Sequence, residues 1–276
     1  MFRRYIDKKI LALGMDLGSR FIKFAVVVET DVGIHIDLFR KDTVEFYRNN
    51  IIAGNDSFKI DFHSLGIPEG TMIYATGYGR ETANILDATI ISEIIAHAYG
   101  ILLQTELTDF VIIDMGGQDS KVIEVKNKMI VDFNANDRCA ASTGRYLENM
   151  AHILGMTLDE ISKHYKNPSK LSSVCAVFGE TELLSRISRG ESVEHLAAGV
   201  NHALIERFYG ILNKKDLKHV VLTGGVSTSY AIQRIIEDTL ATDIVIPPFP
   251  QYNGALGCLH KIIDHSDITD STSIVP

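Results

Sequence analysis

The chain has 276 residues, a formal net charge of −8, 46% hydrophobic and 22% charged residues and three cysteines. This is the composition of a packed globular protein, long enough for one large domain or two of about 100–170 residues. Acidic and basic residues are interspersed, which excludes a phosphate-backbone binder, so nucleic acid is not an expected partner.

Apolar runs are interrupted by charges such as Glu93 before they reach membrane-spanning length, so no membrane span is expected. The basic start MFRRYIDKKI precedes no apolar stretch of signal-peptide kind. The expected location is cytoplasmic. An odd number of cysteines there reads as reduced, metal-binding or reactive thiols rather than a disulfide framework.

In chain order, ILALGMDLGS is an apolar strand ending in a carboxylate and a glycine turn, and FIKFAVVVE is a second strand paired with it. TMIYATGYGRE is a strand running into a glycine-rich turn, and TANILDATIISEIIAHAYGILLQ has the apolar spacing of an amphipathic helix. DFVIIDMGGQDSKVIEV then repeats the first hairpin: Asp16-Leu-Gly18 with Lys23 matches Asp114-Met-Gly116 with Lys121, each lysine seven positions after its aspartate. Two copies with the same turn and spacing predict duplicated lobes. The lobes are 1–107 and 108–276, with the final helix allowed to return to the first lobe.

Helices are expected in AASTGRYLENMAHILG, in ETELLSRISRG and over 191–212, the first of them placing Cys139 in or near its opening turn. HVVLTGGVS is a buried strand entering a double-glycine turn, the last helix begins near NGALGCLHKII, and 264–276 is expected to fray. Lys214, Lys215 and Lys218 read as a solvated helix end, and His97 and His202 as core or interface histidines on apolar helices. Strands alternate with helices throughout, which makes the fold class α/β.

A carboxylate at a strand end followed by glycines brings backbone N–H groups against phosphate oxygens while the carboxylate orders the water shell of Mg²⁺. Two such turns occur, at Asp16, Gly18 and Ser19 and at Asp114, Gly116, Gly117, Gln118 and Asp119. A lone copy would read as an ordinary hairpin turn. Two copies, together with Gly224-Gly225 and with Gln251, Asn253 and Gly254 at another helix start, point to a nucleotide. No GxxxxGK[ST] is present, and TGYGRET lacks the last glycine of the dinucleotide fingerprint, so another architecture must hold it.

MDLGSRFIK, ATGYGRE, IDMGGQDSK, NDRCAASTGRYLE, SSVCAVFGETE, LTGGVS and QYNGALG, in that order, resemble the ATP-dependent activators of 2-hydroxyacyl-CoA dehydratases, the archerases. These are grouped with the ATPase subunits of benzoyl-CoA reductase and with double-cubane cluster protein reductases. The resemblance runs from about residue 11 to 263. It implies the duplicated two-lobe fold of the acetate and sugar kinase, Hsc70 and actin superfamily, with ATP or ADP and Mg²⁺ between the lobes. Asp16, Ser19 and Lys23 would lie on one side of the phosphates and Asp114 to Asp119 on the other, with Gln118 orienting the attacking water and Asp16 and Asp114 holding Mg²⁺ through water.

Cys139 and Cys175 stand in no CxxC pair, and Cys258 falls on an apolar helix face. Taken alone, Cys139 and Cys175 would read as two inert buried thiols. The resemblance implies instead that they ligate a 4Fe-4S cluster shared across a homodimer, two chains supplying the usual four thiolates. It also implies an iron-sulfur partner enzyme, either a dehydratase or a double-cubane protein, and a ferredoxin or flavodoxin as electron source. Arg20, Ser142 and Gly179 depart from the residues common in that family. Two rival readings share the phosphate grip: a small-molecule kinase, which needs a carboxylate base and an acceptor, and a non-catalytic actin- or chaperone-like nucleotide switch.

Overall fold

A computed structural model describes residues 2, 5, 8–31, 33–53, 58–77, 79, 84–136, 143–172, 176–212, 215, 218–260 and 273–275. Cys139, Ser142 and Cys175 lie outside the described residues. The chain divides into two units, Met1–Glu106 with Gln251–Pro276, and Leu107–Pro250.

In the first unit β1 (Lys9–Leu17), β2 (Phe21–Thr30) and β3 (Gly33–Asp42) form an antiparallel meander. β1 is buried at every residue from Ala12 to Leu17, as expected of a central strand covered on both faces. Asp42 ends β3 and caps α1 (Thr43–Asn50), accepting from the Val44 and Glu45 N–H groups. The Glu45 N–H bond, aided by Val44 and by Arg20, holds the Asp42 carboxyl below its ordinary pKa. Next come β4 (Ile52–Ala53), β5 (Phe58–Ile60), β6 (Met72–Thr76), β7 (Asn84–Ile85), β8 (Ala88–Ile90) and α2 (Glu93–Gln104). β6 and β8 extend the main sheet parallel to β1, while β4, β5 and β7 make a small sheet of their own.

The second unit repeats this plan. β9 (Phe110–Met115), β10 (Ser120–Lys126) and β11 (Met129–Asn136) form the meander, followed by α3 (Gly144–Ile153), α4 (Leu158–Ile161), α5 (Ala176–Ser188), α6 (Val193–Glu206) and α7 (Tyr209–Leu212). β12 (Val220–Thr223), α8 (Tyr230–Leu240) and β13 (Ile244–Val245) close the unit, with β12 and β13 parallel to β9. The sheet order β11-β10-β9-β12-β13 matches β3-β2-β1-β6-β8 strand for strand. The packing inside the copies differs. The first core is aromatic, with Phe24 stacked on Phe39 at 4.8 Å and Phe2 edge-on to both, whereas the second is mostly aliphatic.

The chain then returns to the first unit as α9 (Asn253–Gly257) and β14 (Ser273–Val275). α9 packs closely because glycines face backbone. A Cβ on Gly14 would stand 2.4 Å from the Ala255 carbonyl oxygen, one on Gly100 2.2 Å from that of Asn253, and one on Gly257 1.7 Å from that of Ala96. Cys258 follows, fully buried, and burial with the nearby Asp16 charge pushes its thiol pKa well up. Among the described residues no helix is long and apolar enough to cross a membrane.

Several expectations from sequence are corrected. Among the described residues of TANILDATIISEIIAHAYGILLQ only Glu93–Gln104 is helical, because the β-branched run before it pairs as β8 with β6. Within AASTGRYLENMAHILG the described helix begins at Gly144 with Thr143 as its N-cap, and the expected placement of Cys139 in or near an opening turn lies outside the described residues. The segment 264–276 includes β14, whose residues 273–275 pair with His35–Asp37 on the open edge of β3. Lys215 is not part of a solvated end. Its side chain is 5% exposed and bonds Glu124 Oε2 at 3.0 Å and the Asp132 carboxylate. His97 is buried, and the half-buried His202 ring bonds the Tyr165 carbonyl at 2.8 Å.

Gly257→Ala should cost about 3 kcal/mol or more, because the added methyl meets backbone rather than a side chain that can yield; urea unfolding checks this. The Lys215 cluster makes a second test. Burial opposes the lysine charge, but bonds to Asp132 and Glu124 raise its pKa, while Lys126 and Lys215 lower that of Glu124. The depressed carboxylate contributes stability above its ordinary value of 4.5 and loses it as pH falls through its folded value, whereas the lysine contribution is complete below 10.5. Lys215→Met should lower Tm by about 3 °C near neutrality, and the difference should shrink below about pH 4, as thermal melts across pH would show.

Candidate functional site

The first candidate turn is built at the end of β1. Asp16, 7% exposed, faces Lys23 across the antiparallel register, and Lys23 Nζ donates to Asp16 Oδ2 at 2.9 Å. A nearly buried carboxylate needs such a partner, and the hairpin supplies it at short range. Gly18 leaves room for this pair, since a Cβ there would lie 2.7 Å from Lys23 Nζ. The Gly18 carbonyl accepts from Thr43 Oγ1 at 2.7 Å, which ties the turn to α1. Ser19 is half-buried in the same turn. Arg20 bonds Asp42 Oδ2 at 2.7 Å and lies 5.0 Å over the Phe21 ring, so its guanidinium braces the turn against the α1 cap.

α9 supports this carboxylate from behind. A Cβ on Gly254 would stand 3.3 Å from Asp16 Cγ. Asn253, fully buried, donates through Nδ2 to the His97 carbonyl at 2.9 Å and accepts from Gln104 Nε2 at 2.9 Å. Its side chain therefore clamps α9 to α2. Gln251 Oε1 accepts from Arg40 Nη1 at 2.7 Å. Sequence reasoning missed Arg40; its signal is the register Asp16–Lys23–Arg40 across β1, β2 and β3, visible only once the strands are aligned.

The second candidate turn sits at the end of β9. Asp114, 3% exposed, again faces a lysine across the hairpin, but Lys121 bonds Asp119 and stands 3.9 Å from Asp114 Oδ2. Gly116 N–H donates to the Asp119 carbonyl at 2.9 Å, closing the turn, and Gly117 and Gln118 are half-buried within it. The N-terminus of α3 is fastened to this turn: Gly144 N–H donates to the Gly116 carbonyl at 2.9 Å and Arg145 N–H to that of Gly117 at 3.0 Å.

β12 brings the third turn alongside. Gly224 has φ +86, and a Cβ there would stand 2.2 Å from the Met115 carbonyl oxygen, so glycine is required by both conformation and contact. Gly77 in the first unit plays the same part: at φ +98, its Cβ would stand 2.5 Å from Leu17 N. The duplicated Thr-Gly pairs Thr76-Gly77 and Thr223-Gly224 were a sequence signal left unread. Gly225 differs. It is exposed, and nothing lies within 4 Å of where its Cβ would be, so the protein itself does not require glycine there.

Residues 13–259 match the profile of the BadF/BadG/BcrA/BcrD ATPase family. The chain belongs to that family. Within this ATPase family, the activator of lactoyl-CoA dehydratase from Anaerotignum propionicum is 43% identical over 205 residues, 71% of this chain and 78% of the relative. The (R)-2-hydroxyglutaryl-CoA dehydratase activating ATPase of Acidaminococcus fermentans is 38% identical over 187 residues, 66% and 72% of the two chains. Among solved structures, the activator of the 2-hydroxyisocaproyl-CoA dehydratase from Clostridium difficile with bound ADPNP superposes with a TM-score of 0.74 at 28% identity, covering 93% of this chain and 95% of that one. The resemblance read from the seven motifs is borne out, and the fold is the actin-like ATPase fold.

Asp16→Asn and Gln118→Ala should each lower ATP turnover by about 10²-fold or more without unfolding the chain. Phosphate-release assays beside circular dichroism check this, and retained turnover in Gln118→Ala would show that another group positions the water.

Proposed function

We propose that this ATPase activates an iron-sulfur enzyme of the 2-hydroxyacyl-CoA dehydratase kind, delivering low-potential electrons to it at the expense of ATP. The carrying observation is the near-complete structural match to a dehydratase activator with bound ADPNP, joined to the two Asp-Lys hairpins. The kinase alternative lacks a comparable observation.

ATP binding is proposed to use both Asp-Lys turns. Lys23 and the backbone of the Gly18-Ser19 turn would meet phosphate oxygens in the first unit, and the Gly116-Gly117 turn in the second. Mg²⁺ favours oxygen donors and keeps several waters, and Asp16 and Asp114, two buried carboxylates at strand ends, suit that shell. Gln118 would orient the attacking water through a neutral amide, which needs no shifted pKa. The open face of Gly225 would admit the flat part of the nucleotide.

The electron carrier would be a 4Fe-4S cluster, which supplies one low-potential electron when bound. Cys139 and Cys175 of two chains would provide its thiolates, the support being their motifs and the count of cysteines. A route for coupling lies in this chain's own backbone. α3 begins two hydrogen bonds from the Gly116-Gly117 turn and just after the Cys139 segment, so a shift of that turn on phosphate release would reach the cysteine.

Purified without oxygen, the protein should be a homodimer holding about four irons. Cys139→Ser should lose the visible chromophore while keeping nucleotide affinity. ATP-dependent reduction of a dehydratase or a double-cubane protein, with ferredoxin or flavodoxin as donor, tests the proposed partner; a protein that is colourless after anaerobic purification would instead support a nucleotide switch.

A further inference from the structure

The two hairpins are copies of one device, yet their aspartates are held by different partners. Residue for residue, Asp16, Phe21 and Lys23 correspond to Asp114, Asp119 and Lys121. In the first unit Lys23 bonds Asp16 directly, and Thr76, opposite Asp16 in the parallel register, turns its hydroxyl away to the Ile91 carbonyl at 2.8 Å. In the second unit Asp119 stands where Phe21 does and takes the lysine, leaving Lys121 Nζ 3.9 Å from Asp114 Oδ2. Thr223, opposite Asp114 in the equivalent register, donates to Asp114 Oδ1 at 2.7 Å, and neither residue is more than 3% exposed.

We propose that Thr223 is a positioning residue for ATP hydrolysis, orienting Asp114 so that Oδ2 meets the water shell of the bound nucleotide. The proposal rests on the reading of Asp114 given above. A hydroxyl donating to one carboxylate oxygen fixes the plane of the group, and a β-branched residue in a buried strand has little rotamer freedom of its own. With Oδ1 committed, Oδ2 is presented in one orientation and need not reorganise during the reaction. Asp16 is held instead by the Lys23 ammonium at 2.9 Å. The duplicated fold thus orients its two carboxylates through different partners, and Asp119, standing where Phe21 does, is the residue that takes Lys121.

The test uses the full chain and four variants. Thr223→Val removes the hydroxyl with little change of shape, Thr223→Ser keeps it, and Thr76→Val removes the matching hydroxyl of the first unit, which does not touch Asp16. Asp114→Asn checks the underlying reading. Thr223→Val should lower kcat by about tenfold or more, while KM for MgATP and the affinity for a fluorescent ADP analogue stay within about threefold. Thr223→Ser should keep kcat within about threefold of the parent. Thr76→Val should lower Tm but not kcat. The proposal is overturned if Asp114→Asn abolishes turnover while Thr223→Val leaves it intact, or if kcat falls in step with Tm in both threonine variants. Asp114→Asn with full turnover would overturn the reading of Asp114 itself, and the proposal with it.

Discussion

A carboxylate buried at the end of a central strand cannot stand alone, and the rest of this protein is arranged around satisfying two of them. Desolvating an aspartate costs several kcal/mol unless charge or hydrogen bonds replace the lost water. The antiparallel hairpin answers this locally, because a lysine seven residues on lies across the ladder from the aspartate. The glycines that follow are then a steric consequence: the turn must pass the lysine head in the first unit and the Asp119 carboxylate in the second. In the proposed function the same turns would also meet phosphate, so the solution to a folding problem would serve the ligand too.

Close approach of backbone is the second constraint. Where α9, α2 and β1 meet, Gly14, Gly100, Gly254 and Gly257 replace side chains with direct contact, and Asn253 with Gln104 satisfies the polar groups trapped there. The layer behind Asp16 is therefore rigid. In the second unit the corresponding support is hydrogen-bonded backbone, with α3 fastened to the turn at Gly116 and Gly117. That difference suits a unit in which the turn is proposed to transmit a change to the cysteine segment.

The legible parts of the sequence were those with local physics. Both hairpins, the strand-end aspartates, the glycine turns and the duplication could be read because the period of strands and the spacing of Asp and Lys are short-range properties. The clamp that Asn253 makes was not legible, since its partners His97 and Gln104 lie about 150 residues away. Lys215 read as solvated because neighbouring lysines suggested an exposed end; Glu124 and Asp132, brought opposite one another by β10 and β11, bury it instead.

Family membership and the duplicated α/β plan were thus determined by sequence alone, through motifs whose meaning depends on neighbours within a hairpin. Only tertiary structure decided which partner each aspartate keeps. Thr76 and Thr223 occupy matching positions, but one turns to the Ile91 carbonyl and the other to Asp114. The choice depends on where Lys121 is drawn, and that depends on Asp119 folding back beside it, a competition between charges that no periodicity records.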